Sequence, residues 1–229
     1  VDVVGLDTLV HVANGIYENC PNDEAHELFK LPEFVNKMME NKWLGSKTGQ
    51  GFYKKEGKDI LTLDLDTLEY RANKKASFAT LELTKTIEKP IDRFKVLVTG
   101  KDKAGDFYRK NFASMFQYCS NRIPEITDAF YKIDDAMKAG FGWENGPFEI
   151  WDAIGIEKGI ELMKAEGYQP ASWVTDMLAS GNTSFYSVKD GATHFYSITN
   201  KKVEKIPGQD AFIILNNIRE SKKIWNNSD

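Results

Sequence analysis

Apolar residues recur at three- and four-residue spacing near the start of the chain, from Leu6 to Tyr17. This spacing places one apolar stripe on a helix that runs to about Glu18. Asp7 is a suitable N-cap for this helix, and Gly5 can adopt the left-handed conformation that ends a preceding helix. The run VVGLD is therefore predicted to form a helix-turn-helix corner.

The rest of the chain is predicted to be mostly helical. Pro32 opens a second amphipathic helix, and helical spacing returns over residues 76–88 and 104–139, with Pro124 splitting the second run. Between these regions, the segment ILTLDLDTLEY alternates with a period of two, so we expect it to pair with GFYKK as a hairpin. The predicted fold class is mainly α, with short β-hairpins.

Two parts of the chain resemble each other, which indicates an internal repeat. The run from Asp2 to Asp7 matches the run from Asp152 to Glu157, with acid, glycine and acid at the same spacing. Further on, PEFVNKMM resembles ASWVTDML, and GFY at 51–53 resembles SFY at 184–186. Two copies of one helical unit would be expected to bury their apolar faces against each other. The sequence thus predicts a pseudo-dimer within one chain.

The charge balance argues against two classes of partner. There are 34 acidic and 30 basic residues, for a net charge of -4, so no basic field is available for nucleic acid or an anionic membrane. No apolar run reaches the roughly 18 residues of a membrane span, and the first residues lack the basic region of a signal peptide. A cytoplasmic location is expected.

The two cysteines and the first residue add two further expectations. Cys20 and Cys119 lie far apart in sequence, so we expect two reduced, packed thiols rather than a disulfide. Val1 is not a methionine, and it stands at the edge of an apolar pattern. We therefore expect that the chain begins inside a larger polypeptide.

Two motifs carry a resemblance to a known family. The run KTGQGFY, from Lys47 to Tyr53, resembles the end of the C-terminal helical domain of 3-hydroxyacyl-CoA dehydrogenases. The stretch IDDAMKAGFGWENGPFEIWDAIGIEKG, from Ile133 to Gly159, resembles the opening of the same domain. Because the end of one copy precedes the opening of another, the order resembles that of bacterial multifunctional fatty-acid-oxidation enzymes that carry this domain twice.

This resemblance implies a domain organisation. It implies two helical units of the 6-phosphogluconate dehydrogenase C-terminal-like type, the first with its connector over residues 1–100 and the second over residues 101–207. Residues 208–229 would be a linker toward a missing enoyl-CoA hydratase-like domain. A homodimer is possible under this interpretation.

The resemblance also implies a reaction, the NAD-dependent oxidation of 3-hydroxyacyl-CoA to 3-oxoacyl-CoA in fatty acid β-oxidation. The family's His-Glu pair and its NAD-binding domain would lie upstream, and the chain contains no G-x-G-x-x-G run. The fragment alone is therefore not expected to turn over. Asn121 occupies the place of the family's substrate-assisting Asn, but in the second copy, where we expect it to face no cofactor.

Other residue groups were weighed for chemistry. Lys47, Thr48 and Gly49 could contact the phosphates of acyl-CoA, although a structural turn is the favoured interpretation. The three histidines have no nucleophile partner, and the acids at 64, 66 and 69 lack the ligand pattern of a calcium loop. The aromatic stretch from Trp143 to Trp151 is expected to be core rather than an acyl-chain wall. The alternative function is a non-catalytic scaffold or dimerisation module.

Overall fold

The computed structural model describes residues 1–211, 213–215 and 217–218. The chain divides into two compact units, Val1–Ala76 and Ser77–Asp229. Within the described residues the structure is mainly helical, and each unit contains one three-stranded antiparallel sheet. The predicted fold class is confirmed at this level. The boundaries predicted at residues 100 and 207 stay a prediction, and most of the predicted linker lies outside the described residues.

The first unit, called unit 1, consists of two helices followed by a sheet. The helices are α1 (Leu6–Asn19) and α2 (Glu33–Glu40), and the strands are β1 (Tyr53–Glu56), β2 (Asp59–Leu63) and β3 (Tyr70–Ala72). Strands β1 and β2 pair in antiparallel register, with Tyr53 opposite Thr62, so the predicted hairpin is confirmed. The third strand was not predicted. A small core joins helices and sheet through Leu6, Val35, Met38 and Leu63.

The start of α1 differs from the prediction. The N-cap position is Gly5, with φ 115° and ψ 137°, and no side chain caps the helix. Asp7 lies in the first turn instead, where its carboxylate binds the Lys47 ammonium at 2.5 Å. The prediction of Asp7 as N-cap was wrong because the positive φ of the glycine sets where the helix begins.

The second unit, called unit 2, has helices α3 (Ala79–Thr84), α4 (Pro90–Thr99), α5 (Lys103–Asn121), α6 (Tyr131–Phe141), α7 (Pro147–Ile154), α8 (Ile156–Ala165) and α9 (Ser172–Ala179). Its strands are β4 (Tyr186–Lys189), β5 (Ala192–Ser197) and β6 (Lys202–Lys205). Pro124 lies between α5 and α6, as predicted. Asp102 caps α5 by accepting from Gly105 N at 3.0 Å, and it also binds the hydroxyl of Thr80.

Aromatic rings form the centre of unit 2. Trp151 is fully buried and stacks on Phe116, with ring centroids 4.7 Å apart and planes within 7°. Its indole nitrogen donates to the carbonyl of Ile156 at 3.1 Å, so the polar end of the ring is satisfied inside the core. Phe148 is also fully buried, which confirms the core prediction for this part of the aromatic stretch.

Two predicted core residues are not buried. Trp143 is 39% exposed, so placing it in the core was wrong. It follows the end of α6, where Gly142 in the left-handed conformation turns the chain. Cys20 is exposed at the end of α1, whereas Cys119 packs against the core, where burial raises its pKa to about 12. Both thiols are free, but only one is packed.

Candidate functional site

Unit 2 contains a buried carboxylate on α6 that joins three elements. Asp134 is fully buried. Its two oxygens accept from the backbone N–H groups of Phe148 at 2.9 Å and Glu149 at 3.0 Å, in the first turn of α7. It also accepts from the hydroxyl of Tyr186, on β4, at 2.8 Å. The carboxylate therefore ties α6 to the N-terminus of α7 and to the sheet, where helix N–H groups favour a negative charge.

A second carboxylate, at Asp152 on α7, holds the start of the same strand. It accepts from the backbone N–H groups of Phe185 at 2.7 Å and Tyr186 at 2.8 Å. Burial raises the pKa of Asp152 to about 7 and that of Asp134 to about 6, against the lowering effect of their backbone donors. Burial also raises the pKa of the Tyr186 hydroxyl far above its usual range, so this group stays a donor.

One ion pair lies beside these carboxylates. Lys138 Nζ contacts Glu149 at 2.8 Å and Asp135 at 3.3 Å. Glu149 also accepts from Gly146 N at 2.9 Å, so the same carboxylate caps the start of α7. Lys138 thus lies close to the acids Asp134, Asp135, Glu149 and Asp152. Its ion pairs hold Lys138 and Glu149 in place at the rim of a cavity.

The cavity has a volume of about 740 Å³. Its lining includes Tyr131, Lys138, Glu149, Asp152, Tyr186 and Gln209. This volume falls in the range of small-molecule pockets. Its carboxylates already accept hydrogen bonds from the backbone or pair with Lys138, so their chemistry is structural. No Ser or Cys nucleophile paired with a base lines the part of the cavity that the structure describes.

Unit 1 repeats the contact made by Asp152. The carboxylate of Asp2 accepts from the backbone N–H groups of Phe52 at 3.1 Å and Tyr53 at 2.8 Å. Each acid is followed, three positions later, by a glycine at positive φ that begins a helix: Gly5 has φ 115° and ψ 137°, and Gly155 has φ 102° and ψ 132°. A Cβ at either glycine would be strained, since side-chain-bearing residues rarely adopt these angles.

The residues proposed from sequence as substrate contacts lie in separate places. In unit 1, Lys47 binds Asp7, and Thr48 Oγ1 accepts from Leu44 N at 3.0 Å. Gly49 adopts the left-handed conformation, with φ 79°. These contacts are those of a structural turn. Asn121 is the last residue of α5, in unit 2.

The other residues weighed from sequence also have structural partners. Asp64 accepts from the backbone N–H of Asp66 and pairs with Arg71 at 3.0 Å, which closes the turn between β2 and β3. His26 stacks on Tyr17, with ring centroids 4.1 Å apart. His11 lies in α1, and His194 lies on β5. Sequence analysis missed Asp134, although its position on the apolar stripe of α6, four residues after Phe130, was a usable signal.

The residues that the structure describes do not fit a dinucleotide. Both sheets of the described chain are antiparallel, with three strands each. NAD sites of the Rossmann type need a parallel strand, a glycine-rich turn and a helix whose N-terminus faces the pyrophosphate. None of these described strands leads through such a turn into a helix.

None of the described helices is long and apolar enough to cross a membrane.

Comparison with known proteins agrees with the motifs. Residues 1–55 match the family described as "3-hydroxyacyl-CoA dehydrogenase, C-terminal domain". The predicted resemblance to this family is confirmed. The matched residues lie within the first of the two predicted copies, and the assignment of the second copy stays a prediction.

Longer relatives cover most of the chain. A Bacillus subtilis protein named "Probable 3-hydroxyacyl-CoA dehydrogenase" is 43% identical over 196 residues, which make up 86% of this chain and 25% of the relative. A "Fatty acid oxidation complex subunit alpha" of Psychrobacter cryohalolentis is 30% identical over 201 residues, or 82% of this chain and 24% of that protein. The chain therefore spans about a quarter of the length of these relatives.

Proposed function

We propose that this chain is the helical, substrate-side portion of an NAD-dependent 3-hydroxyacyl-CoA dehydrogenase that acts in fatty acid oxidation. The observation that carries the proposal is the 43% identity to the Bacillus subtilis relative over 86% of the chain. The chain contributes no catalytic residue of its own. NAD is bound by another domain of the longer polypeptide, because the described residues do not fit the cofactor.

The chain contains two copies of one helical unit under this proposal, and the two copies form a pseudo-dimer. Three observations support the repeat. Asp2 and Asp152 make the same pair of backbone contacts, and the glycines that follow them begin their helices with nearly the same φ and ψ. Each unit also contains a three-stranded antiparallel sheet after its repeated helix. Unit 1 represents the end of the first copy, and unit 2 contains the second copy.

The partners follow from the relatives. Acyl-CoA is the substrate, and the chain works with an upstream NAD-binding domain and a downstream enoyl-CoA hydratase-like domain in the cytoplasm. The name of the Psychrobacter relative, a subunit of a fatty acid oxidation complex, supports a multifunctional enzyme. Asn121 belongs to the second copy and does not meet the cofactor.

Joining this chain to the NAD-binding domain of its own polypeptide tests the proposal. The joined protein should reduce NAD in the presence of a 3-hydroxyacyl-CoA, and the chain alone should not. A folded, joined protein with no turnover on short, medium and long acyl chains would overturn it.

The alternative, a non-catalytic scaffold, predicts a different binding result. Calorimetric titration of the chain with a long-chain 3-oxoacyl-CoA should show saturable binding if the chain lies on the substrate side. A scaffold should show none.

Lys47→Met, with Lys55→Met as a control in the same unit, tests the turn at 47–49. Because Lys47 already pairs with Asp7, we expect equal affinities; a loss only in Lys47→Met would assign that turn to the substrate site.

A further inference from the structure

A second cavity, of about 530 Å³, lies in unit 2 between α3 and the start of α5. Its volume is within the range of small-molecule pockets. The apolar walls are formed by Phe78, Leu81, Ala104, Phe107 and Tyr108. The ring of Phe107 is 60% exposed, so a ligand that covers it would remove apolar surface from water. No residue of this lining belongs to the cavity beside Glu149, so the two cavities are separate candidate sites.

Hydrogen bonds between α3 and α5 hold the two walls of this cavity together. The carboxylate of Asp102 accepts from the backbone N–H of Thr80 at 2.9 Å and from the Thr80 hydroxyl at 2.7 Å. The same carboxylate caps α5 through Gly105 N. On the wall from α5, Tyr108 packs against Phe112 of the core, with ring centroids 5.8 Å apart. The cavity is therefore preformed, so a ligand does not have to supply the free energy of ordering its walls.

The lining carries two cations and one acid, and only one of the cations is paired within it. Lys110 and Asp106 lie four residues apart on α5 and pair at 3.2 Å. Lys103 makes no ion pair or hydrogen bond with any residue that the structure describes. It is the first residue of α5, where the positive end of the helix disfavours a cation. Helix stability therefore does not explain Lys103, whereas an anionic ligand would give it a partner.

The scarcity of polar groups in the lining disfavours a ligand with many polar atoms. A peptide segment would bring backbone N–H and C=O groups that find few partners among these apolar walls, which is costly. A flat aromatic ligand would need two parallel walls, but the rings of Phe107 and Tyr108 are inclined at 83° to each other. A flexible apolar chain with a single anionic end fits both the walls and the charge.

We infer that this cavity binds a long-chain carboxylate, with its alkyl chain against Phe78, Leu81 and Phe107 and its carboxylate on the ammonium of Lys103. The ligand is a free carboxylate and not an acyl-CoA, because the lining offers one ammonium for one anionic group, whereas CoA carries several phosphates. Binding here involves no covalent step. The site goes beyond the proposed dehydrogenase reaction and does not depend on it.

Calorimetric titration of the whole polypeptide and of this chain with octanoate, decanoate and dodecanoate tests the inference. Burial of each methylene should strengthen binding about fourfold, so each step of two carbons should give roughly fifteenfold. Decanol has the same chain as decanoate but no charge, and it should bind about tenfold more weakly. An affinity that does not depend on chain length, or equal affinities for decanol and decanoate, would overturn the inference. Binding by this chain that the whole polypeptide lacks would show that another domain covers the cavity, and would overturn it too.

Two matched variants assign the binding to this cavity. Lys103→Met should weaken decanoate binding about tenfold and leave decanol binding unchanged, because only the contact to the charged group is lost. Lys101→Met is the control, since Lys101 is exposed and lies outside the lining, and it should bind decanoate like the unchanged protein. Equal effects of the two substitutions on decanoate binding, or no effect of either, would refute the role of Lys103.

Turnover by the whole polypeptide separates this cavity from the substrate site. Lys103→Met should leave the KM for a 3-hydroxyacyl-CoA unchanged while decanoate binding is weakened. A matching rise in KM would assign the cavity to the acyl-CoA substrate and overturn the inference of a free-carboxylate site. A whole polypeptide that binds decanoate through Lys103 but shows no turnover would refute the dehydrogenase proposal alone.

Discussion

The hydroxyl of Tyr186 donates to the carboxylate of Asp134 over 2.8 Å, across 52 positions of sequence. Loss of this bond should destabilise unit 2, because a buried carboxylate would lose one of its three donors. We expect Tyr186→Phe to lower the free energy of unfolding by about 1.5–3 kcal/mol at pH 8. Tyr53→Phe in this chain is the matched control, since the equivalent Tyr53 is exposed. Equal effects of the two substitutions on urea unfolding would contradict the prediction.

The raised pKa values of Asp134 and Asp152 predict that the free energy of unfolding falls as pH rises from 5 to 8. Folding raises the pKa of Asp152 to about 7 and that of Asp134 to about 6, whereas an unfolded aspartate titrates near 3.9. Between these values the unfolded chain is ionised while the folded chain keeps its protons, so rising pH favours unfolding until the folded groups ionise. The contribution is complete below about pH 4 and lost above the folded pKa.

Urea unfolding at several pH values measures this dependence. Each group contributes a slope of up to about 1.4 kcal/mol per pH unit. Asp152→Asn should reduce the slope between pH 5 and 7, because the amide does not titrate. Glu149, Lys138 and Tyr186 also face these acids and keep their contacts in this variant. A stability that rises from pH 5 to 7, or a slope that Asp152→Asn leaves unchanged, would contradict the assignment.

The close approach of Gly159 to Trp151 predicts an unusual response to alanine. Gly159 lies inside α8, where alanine would ordinarily stabilise the helix by about 1 kcal/mol. A Cβ there would overlap the indole of Trp151. Gly159→Ala should therefore lower stability by about 1–3 kcal/mol. Gly140→Ala in α6, where a Cβ meets open space, should have little effect or stabilise slightly. Thermal unfolding of both variants would decide the point, and a more stable Gly159→Ala would refute the crowding.

The two tryptophans of the same motif should differ in their contribution to stability. Trp151→Ala removes a fully buried ring and should cost about 3–5 kcal/mol. Trp143 is 39% exposed, so Trp143→Ala should cost less, about 2 kcal/mol at most. Calorimetric melting curves provide the comparison. Equal losses would show that Trp143 is buried in solution.

Local patterns were enough to predict about half of the elements and the family. The apolar spacing predicted α1 and α2, the period of two predicted the pairing of β1 with β2, and Pro124 correctly separated α5 from α6. The motif ending at Tyr53 led to the family that residues 1–55 match. These properties depend on residues that are close in sequence or on a contiguous motif, so they can be predicted from the sequence alone.

Contacts between distant residues depended on the tertiary structure. Asp134 lies on the apolar stripe of α6, but only the approach of α7 and β4 makes it a buried acceptor with three donors. Trp143 and Trp151 share one aromatic motif, yet the turn at Gly142 leaves Trp143 partly exposed, whereas Trp151 is fully buried against Phe116 of α5. The sequence by itself determined several helices, the first hairpin, the glycine turns that open α1 and α8, and the family, because each is encoded within one segment. Packing decided which carboxylate is buried and which glycine has no room for a side chain, since each requires a second segment to be in place.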